Sequence, residues 1–161
     1  MAESSLRAAR VARKGGLENA LFVVAAAERP PAELAAIAAE VTIQLPWGSL
    51  LRGALALADA SDAAAGIASL VAPGGAVRVL ASIDPRDQLD LMPLTSDEEA
   101  ALADRWAAHG LELTAFRPAT DAEVAGAGST WARRLAVGRD RRAWLVVLRR
   151  PPNSGAISRL D

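Results

Sequence analysis

The 161-residue chain contains no cysteine, which excludes a disulfide framework, a thiolate metal site and a cysteine nucleophile. It has no tyrosine, two phenylalanines and only 4% aromatic residues. Its single histidine, His109, stands just before Gly110 at an expected helix end, where an imidazole serves terminal carbonyls better than catalysis. No apolar run reaches the ~18 residues that a membrane span needs, because Arg52, Asp59 and Asp62 interrupt the longest Ala/Leu-rich stretch. Residues 1–10 are polar and charged, unlike a secretory signal. These absences predict a soluble, cytoplasmic protein that uses neither metal nor membrane.

At 52% hydrophobic residues the chain has the apolar surface for one globular domain, expected over residues 1–150, with a loosely held tail at 151–161. The net charge of −1 is close to neutral, but the charge is segregated. From Ser129 to Arg150 there are Arg133, Arg134, Arg139, Arg141, Arg142, Arg149 and Arg150 against one acid, Asp140. Arg7, Arg10, Arg13 and Lys14 form a second basic group, and the acids gather between Asp84 and Asp104. Such segregation gives a neutral protein either a local positive face for a polyanion or a set of ordinary solvated helix faces.

Strand-length apolar runs alternate with helical patterns. Strands are expected at residues 20–26, 41–46, 76–83, 111–116 and 143–148. Helices are expected at 31–39, at 49–71 ending on Pro73-Gly74-Gly75, and from an N-cap at Ser96 to Gly110. Shorter helical stretches fall at 120–125 and 130–137. This alternation predicts an α/β layered fold with a mostly parallel sheet. The last two strands have no long helix between them, so an antiparallel C-terminal strand is expected. Ligands of such sheets sit beyond the carboxyl ends of the strands. Ala25-Ala26-Ala27-Glu28 and Pro46-Trp47-Gly48-Ser49 occupy such ends. Gly48 relieves the turn, Ser49 reads as the N-cap of the next helix or a pocket wall, and Glu28 as a ligand contact or a solvated carboxylate.

Two tryptophans draw attention in so aromatic-poor a chain. Trp47 follows an apolar strand-like run, and Trp131, in Gly128-Ser129-Thr130-Trp131-Ala132-Arg133-Arg134, sits beside the arginine cluster. Flat rings flanked by cations suit an unstacked nucleobase, each stacking contact contributing roughly 1–3 kcal/mol. The alternative is that each ring fills core.

Taken in order, Lys14-Gly15-Gly16-Leu17-x-Asn19, Ala25-Ala26-Ala27-Glu28, Pro46-Trp47-Gly48-Ser49-Leu50-Leu51-Arg52-Gly53 and Trp131-Ala132-Arg133-Arg134-Leu135-x-x-x-Arg139-x-Arg141 resemble one known family. These are the Kam-type aminoglycoside-resistance methyltransferases, which methylate N1 of the decoding-site adenine of 16S rRNA. The resemblance runs over residues 1–150. It implies a Rossmann-like class I methyltransferase sheet, S-adenosylmethionine as cofactor and 16S rRNA of the small ribosomal subunit as partner. It places Ala27 and Glu28 by the cofactor's adenine and makes Pro46, Ser49 and Leu50 walls of the cofactor pocket. Trp47 and Trp131 would sandwich the flipped adenine, with Ser129 beside it. Arg134, Arg139 and Arg141 would hold the rRNA backbone, and Arg7, Arg10 and Lys14 would stand on the rRNA-docking surface. Two of the family's lysine positions on that surface are Leu6 and Val11 here. The chemistry suits these residue types. Adenine N1 has its own lone pair, so attack on a sulfonium methyl needs the base unstacked and aligned more than it needs a general base.

The sequence departs from the family at its start. No strand with a Gly-rich loop opens it, and no acidic residue closes a second strand, the parts that cradle the methionine and ribose of the cofactor. Gly15-Gly16 follows a basic helical pattern and reads as a turn. The expectation is a chain that starts inside the helix after the second strand, with the first β-α-β unit missing. In the family's sheet the two missing strands lie between those expected at 20–26 and 41–46. Either these two now pair directly or their edges stay open. Three functions follow: a methyltransferase represented by its C-terminal two-thirds, a non-catalytic rRNA- or ribosome-binding module, and a plain α/β interaction domain or non-functional fragment with both tryptophans in core.

Overall fold

The computed structural model describes residues 23–127 and 141–153. In chain order the elements are β1 (Ala38–Gln44), α1 (Gly48–Ala54), α2 (Ser61–Leu70), β2 (Val71–Ala81), α3 (Glu99–Ala107), β3 (Glu112–Pro118), α4 (Asp121–Gly126) and β4 (Trp144–Arg149). The strands form one sheet in the order β1-β2-β4-β3. β1 and β2 are parallel, with Val41 opposite Val77 and Ile43 opposite Val79. β4 runs antiparallel to both β2 and β3. Three strands therefore point one way and the C-terminal strand the other, as expected from the lack of a long helical pattern in the sequence between the last two strands.

Period-2 alternation divides the sheet into two unlike faces. Ile43, Val77, Val79, Ala81, Val146 and Leu148 point to one side. They join Leu51 and Ala54 of α1, Ile67 of α2, and Leu102 and Trp106 of α3 in the main core. Burying each large apolar side chain contributes roughly 1.5–3 kcal/mol, so this face carries most of the fold's stability. On the other side Leu45, Leu80 and Ala143 form a small cluster, with Ala119, Val124 and Ala127 packed against it. Beside it Thr42, Gln44, Arg78 and Glu123, with Leu80 and Leu145, line a mixed cavity of about 130 Å³. No helix among the described residues is long and apolar enough to cross a membrane.

Four expectations change. Residues 20–22 lie outside the described residues, and residues 23–26 of the first expected strand join no sheet. Val23 and Val24 are 48% and 63% exposed, and Ala26 bridges only Arg29 across a tight turn. An apolar run becomes a strand only where a ladder accepts it. β1 pairs with β2 on one side and with no strand on the other among the described residues, so the direct pairing of the two expected strands is not found there.

The expected helix at 31–39 is a single 3-10 turn at Ala32–Leu34. Ala36, at φ +54°, then donates its N–H to Ser69 O at 2.7 Å and turns the chain into β1. The expected helix at 49–71 is two helices. The chain breaks at buried Leu55 and Ala56 instead, and the two pieces lie closely packed, both covering core. Their closeness is set at Gly53, where an added Cβ would come 2.5 Å from Ala63 Cβ.

Nor is Ser96 the expected N-cap. It opens a 3-10 turn after Thr95, without a side-chain cap bond, and α3 begins at Glu99. The helical stop at Gly110 holds: its φ is +72°, and its N–H donates to Ala107 O at 2.9 Å. His109 packs edge-on against the Trp106 ring, with centroids 5.8 Å apart.

Candidate functional site

The Pro46-Trp47-Gly48-Ser49-Leu50 motif leaves the sheet at the carboxyl end of β1 through an unusual backbone. Leu45 has φ +47°, a left-handed conformation that a branched residue adopts at a cost of order 1–3 kcal/mol. Two contacts hold it there. Its N–H donates to Leu80 O at 2.7 Å, and its side chain is buried against Leu80 and Ala143. Gly48, at φ +58°, completes the turn with nothing within 4 Å of where its Cβ would be. Pro46 is buried, while Trp47 and Leu50 remain 42% and 38% exposed at the sheet edge. Ser49 is not the helix cap. Trp47 holds that position without a side-chain cap bond, and Ser49 lies inside the first turn with its side chain exposed.

Ala27 and Glu28 sit on the turn at residues 26–29, closed by Arg29 N–H donating to Ala26 O at 3.1 Å. Ala27 is half-buried against the main core and Glu28 is exposed. This turn rests against α2, so the two groups of expected cofactor residues come from different supports, one from the end of β1 and one from the side of α2.

Ser129, Trp131, Arg134 and Arg139, together with Arg7, Arg10 and Lys14, lie outside the described residues. Both ends of the chain that flank residues 128–140 are within them. On one side Ala127, at the end of α4, packs against the Leu45–Leu80–Ala143 cluster. α4 itself is fixed at its start by a capping box. Thr120 Oγ1 accepts from Glu123 N–H at 3.3 Å, and Glu123 accepts from Thr120 N–H at 2.8 Å. Arg117 of β3 donates to both Glu123 carboxylate oxygens, at 2.9 and 2.7 Å. Those bonds, and then the Thr120 N–H, hold the Glu123 carboxyl down to about 2.

On the other side stands Arg141. The resemblance assigns it to the rRNA backbone, but here it is 7% exposed and both arms of its guanidinium donate to Asp87, Nη1 to Oδ1 at 2.7 Å and Nη2 to Oδ2. Its Nε also donates to Ser82 Oγ at 3.4 Å. The planar fork that would grip a phosphate is used inside the protein. Arg142, one position on, is exposed, and its carbonyl accepts the Ser82 hydroxyl at 2.9 Å. The loop after β2 is tightened further by Arg86, whose bidentate bond to Asp84 holds that carboxyl well below the usual carboxylate range. Asp87 and Ser82 were not legible as site residues. Asp87 belonged to an acidic run that looked like solvated surface, and only the fold shows that it meets Arg141.

The exit of β1, the end of β2, the entry of β4 and both flanks of residues 128–140 thus converge on one small apolar cluster at one edge of the sheet. Trp47 stands exposed at that edge.

Residues 1–149 match the family model described as NpmA, 16S rRNA (adenine(1408)-N(1))-methyltransferase. A relative of that description from Streptoalloteichus tenebrarius is 35% identical over 147 residues, covering 88% of this chain and 66% of the relative. One from Escherichia coli is 31% identical over 137 residues, covering 80% and 61%. Among solved structures, a tryptophan-to-alanine mutant of the 16S rRNA (adenine(1408)-N(1))-methyltransferase from Catenulisporales acidiphilia, with its cosubstrate SAM, superposes with TM-score 0.78 at 30% identity. It covers 96% of this chain and 71% of that one. The 16S rRNA methyltransferase KamB gives 0.75 at 33%, covering 94% and 72%. The chain spans 66% of the length of the Streptoalloteichus relative. With the family model matched across nearly its whole length, the chain belongs to the 16S rRNA (adenine(1408)-N(1))-methyltransferase family.

Proposed function

We propose that the protein methylates N1 of the decoding-site adenine of 16S rRNA within the small ribosomal subunit, with S-adenosylmethionine as donor, and so confers aminoglycoside resistance. Its place of action is then the cytoplasm. The observation that carries the reading is the convergence at the sheet edge. A strained, buried Leu45 turns the chain so that Trp47 stands exposed, beside a cluster that also pins both flanks of the segment bearing Ser129 and Trp131. Two tryptophans from separate stretches of the chain are what a flipped base needs, since one ring stacks and two rings clamp.

The residues present suit the adenine end of the cofactor. Pro46 and Leu50 supply apolar wall, Ser49 a hydroxyl, and the turn at 26–29 supplies Ala27 and an exposed Glu28 carboxylate. When bound, the cofactor supplies an electrophilic methyl group on a sulfonium. Everything else asked of this chain is positional. Trp47 and Trp131 hold the base out of its stack, with Ser129 beside it. Arg134 and Arg139 neutralise backbone phosphates, and Arg7, Arg10 and Lys14 dock the subunit. Arg141 supports this arrangement from inside through Asp87, which leaves a phosphate contact at this point of the chain to Arg142.

Calorimetric titration of S-adenosylmethionine into the 161-residue chain, beside a pull-down of small subunits, tests the reading. Saturable binding to both supports the methyltransferase. Subunit binding without cofactor heat points to a non-catalytic ribosome-binding module, and neither from a folded sample rejects both.

A further inference from the structure

Gly66 lies in the middle of α2 on the side that meets the turn at 26–29. A Cβ built on it would sit 1.7 Å from the Ala27 carbonyl oxygen, 2.9 Å from the Ala27 carbonyl carbon and 3.2 Å from Pro30 Cδ. Unbonded heavy atoms need more than 3 Å, and these neighbours are backbone and a closed ring, so no rotamer change absorbs the contact. The helix is the heavier partner. Ala63, Ala64, Ile67 and Ala68 bury its other side in the core, and the Gly66 carbonyl accepts the Ser69 hydroxyl at 2.7 Å. The turn is the lighter one, closed by a single backbone bond from Arg29 to Ala26, with Ala26, Glu28 and Arg29 exposed. Any side chain at position 66 therefore moves the turn. Glycine weakens a helix interior relative to alanine. What it provides here is the closeness of approach.

We propose that Gly66 is a positioning residue for the cofactor's adenine: the missing side chain sets how deeply the turn carrying Ala27 and Glu28 seats against α2. The inference rests on the reading of Ala27 and Glu28 given above. It adds a determinant of affinity that touches no ligand.

The test compares wild type, Gly66→Ala and Leu111→Ala in the full chain. Leu111→Ala is the control, because Leu111 is fully buried between α3 and β3, at the end of the sheet farthest from β1, and carries none of the expected cofactor residues. Three quantities are measured: melting temperature, exchange of the Arg29 amide, and calorimetric affinity for S-adenosylhomocysteine. Gly66→Ala is expected to lose at least tenfold in affinity and to exchange Arg29 faster. Leu111→Ala, at an equal or larger loss of melting temperature, is expected to keep both near wild type. Affinity that follows melting temperature alike in the two variants would overturn the proposal. If wild type itself gives no heat, the reading of Ala27 and Glu28 fails, and with it the ligand-positioning role. The seat is then judged by Arg29 exchange alone, which unchanged protection in Gly66→Ala refutes. Should Gly66→Ala not fold, Pro30→Gly loosens the same seat from the surface side. It is expected to speed Arg29 exchange and weaken affinity several-fold, and no change in either would overturn the proposal.

Discussion

Arg141 keeps 7% of its surface in solvent, with both arms of its guanidinium on Asp87, while Arg142 is exposed. The sequence offers the two as equals in a basic run, and the fold gives them different duties. Truncating one partner of a buried pair strands the other charge, so Arg141→Ala should destabilise the protein by about 3–5 kcal/mol, measured by urea denaturation. Arg142→Ala should leave stability within about 0.5 kcal/mol and reduce the salt dependence of subunit binding by about one charge. The tryptophans divide likewise. Trp106 is fully buried and Trp144 stacks on Phe116 at 4.6 Å, so these two are core. Trp47 is 42% exposed. Trp106→Ala should cost about 3–5 kcal/mol of stability. Trp47→Ala and Trp131→Ala should each weaken binding of small subunits by about ten- to a hundredfold, the equivalent of one base stack, with little change in melting temperature. A large loss of stability with unchanged binding would make Trp47 or Trp131 a core residue. Trp47 and its motif were legible because aromatics are scarce here. The Arg141–Asp87 pair was not, because 54 residues separate its partners.

Among the elements, those whose signals are local came through from the sequence. β4 is a run of apolar residues between a basic segment and Pro151. α4 carries a capping box in Thr120 and Glu123, and Gly110 ends α3. The elements that moved depend on neighbours. Residues 23–25 find no ladder, and the alanine-rich stretch after Trp47 breaks where Ala56 turns left-handed and is buried with Leu55. α4 offers a direct test of its anchoring. Folding lowers the Glu123 pKa from the usual 4.5 to about 2 through its bonds to Arg117 and Thr120. Between those values the unfolded chain holds more protons than the folded one. The stabilisation is therefore full above pH ~4.5 and lost as pH falls toward 2. Carboxyl chemical shifts should give a Glu123 midpoint near 2, and Arg117→Ala should return it toward the usual value. A midpoint near 4.5 in the wild-type protein would mean that Arg117 does not anchor α4.

At the scale of the molecule, the strand order, with β4 inserted between β2 and β3, comes from the fold, while the single reversed strand follows from the lack of a long helical pattern before β4. The chemistry follows from neither. Adenine N1 as target and S-adenosylmethionine as donor are proposals that rest on family membership, because the residues proposed to clamp the base are generic aromatics and arginines. The fold supplies the reason those residues could act together. Its carboxyl edge gathers the exits of β1 and β2 and the entry of β4 around Leu45, Leu80 and Ala143. The measurement that decides most is methyl transfer itself. Small ribosomal subunits would be incubated with this chain and methyl-labelled S-adenosylmethionine, and the 16S rRNA read by reverse transcription, which N1-methyladenine blocks. The expected result is label in the rRNA with one new stop at the decoding-site adenine, abolished by Trp131→Ala. Absence of label and stop from a folded protein, or a stop elsewhere that survives Trp131→Ala, would contradict the proposed function.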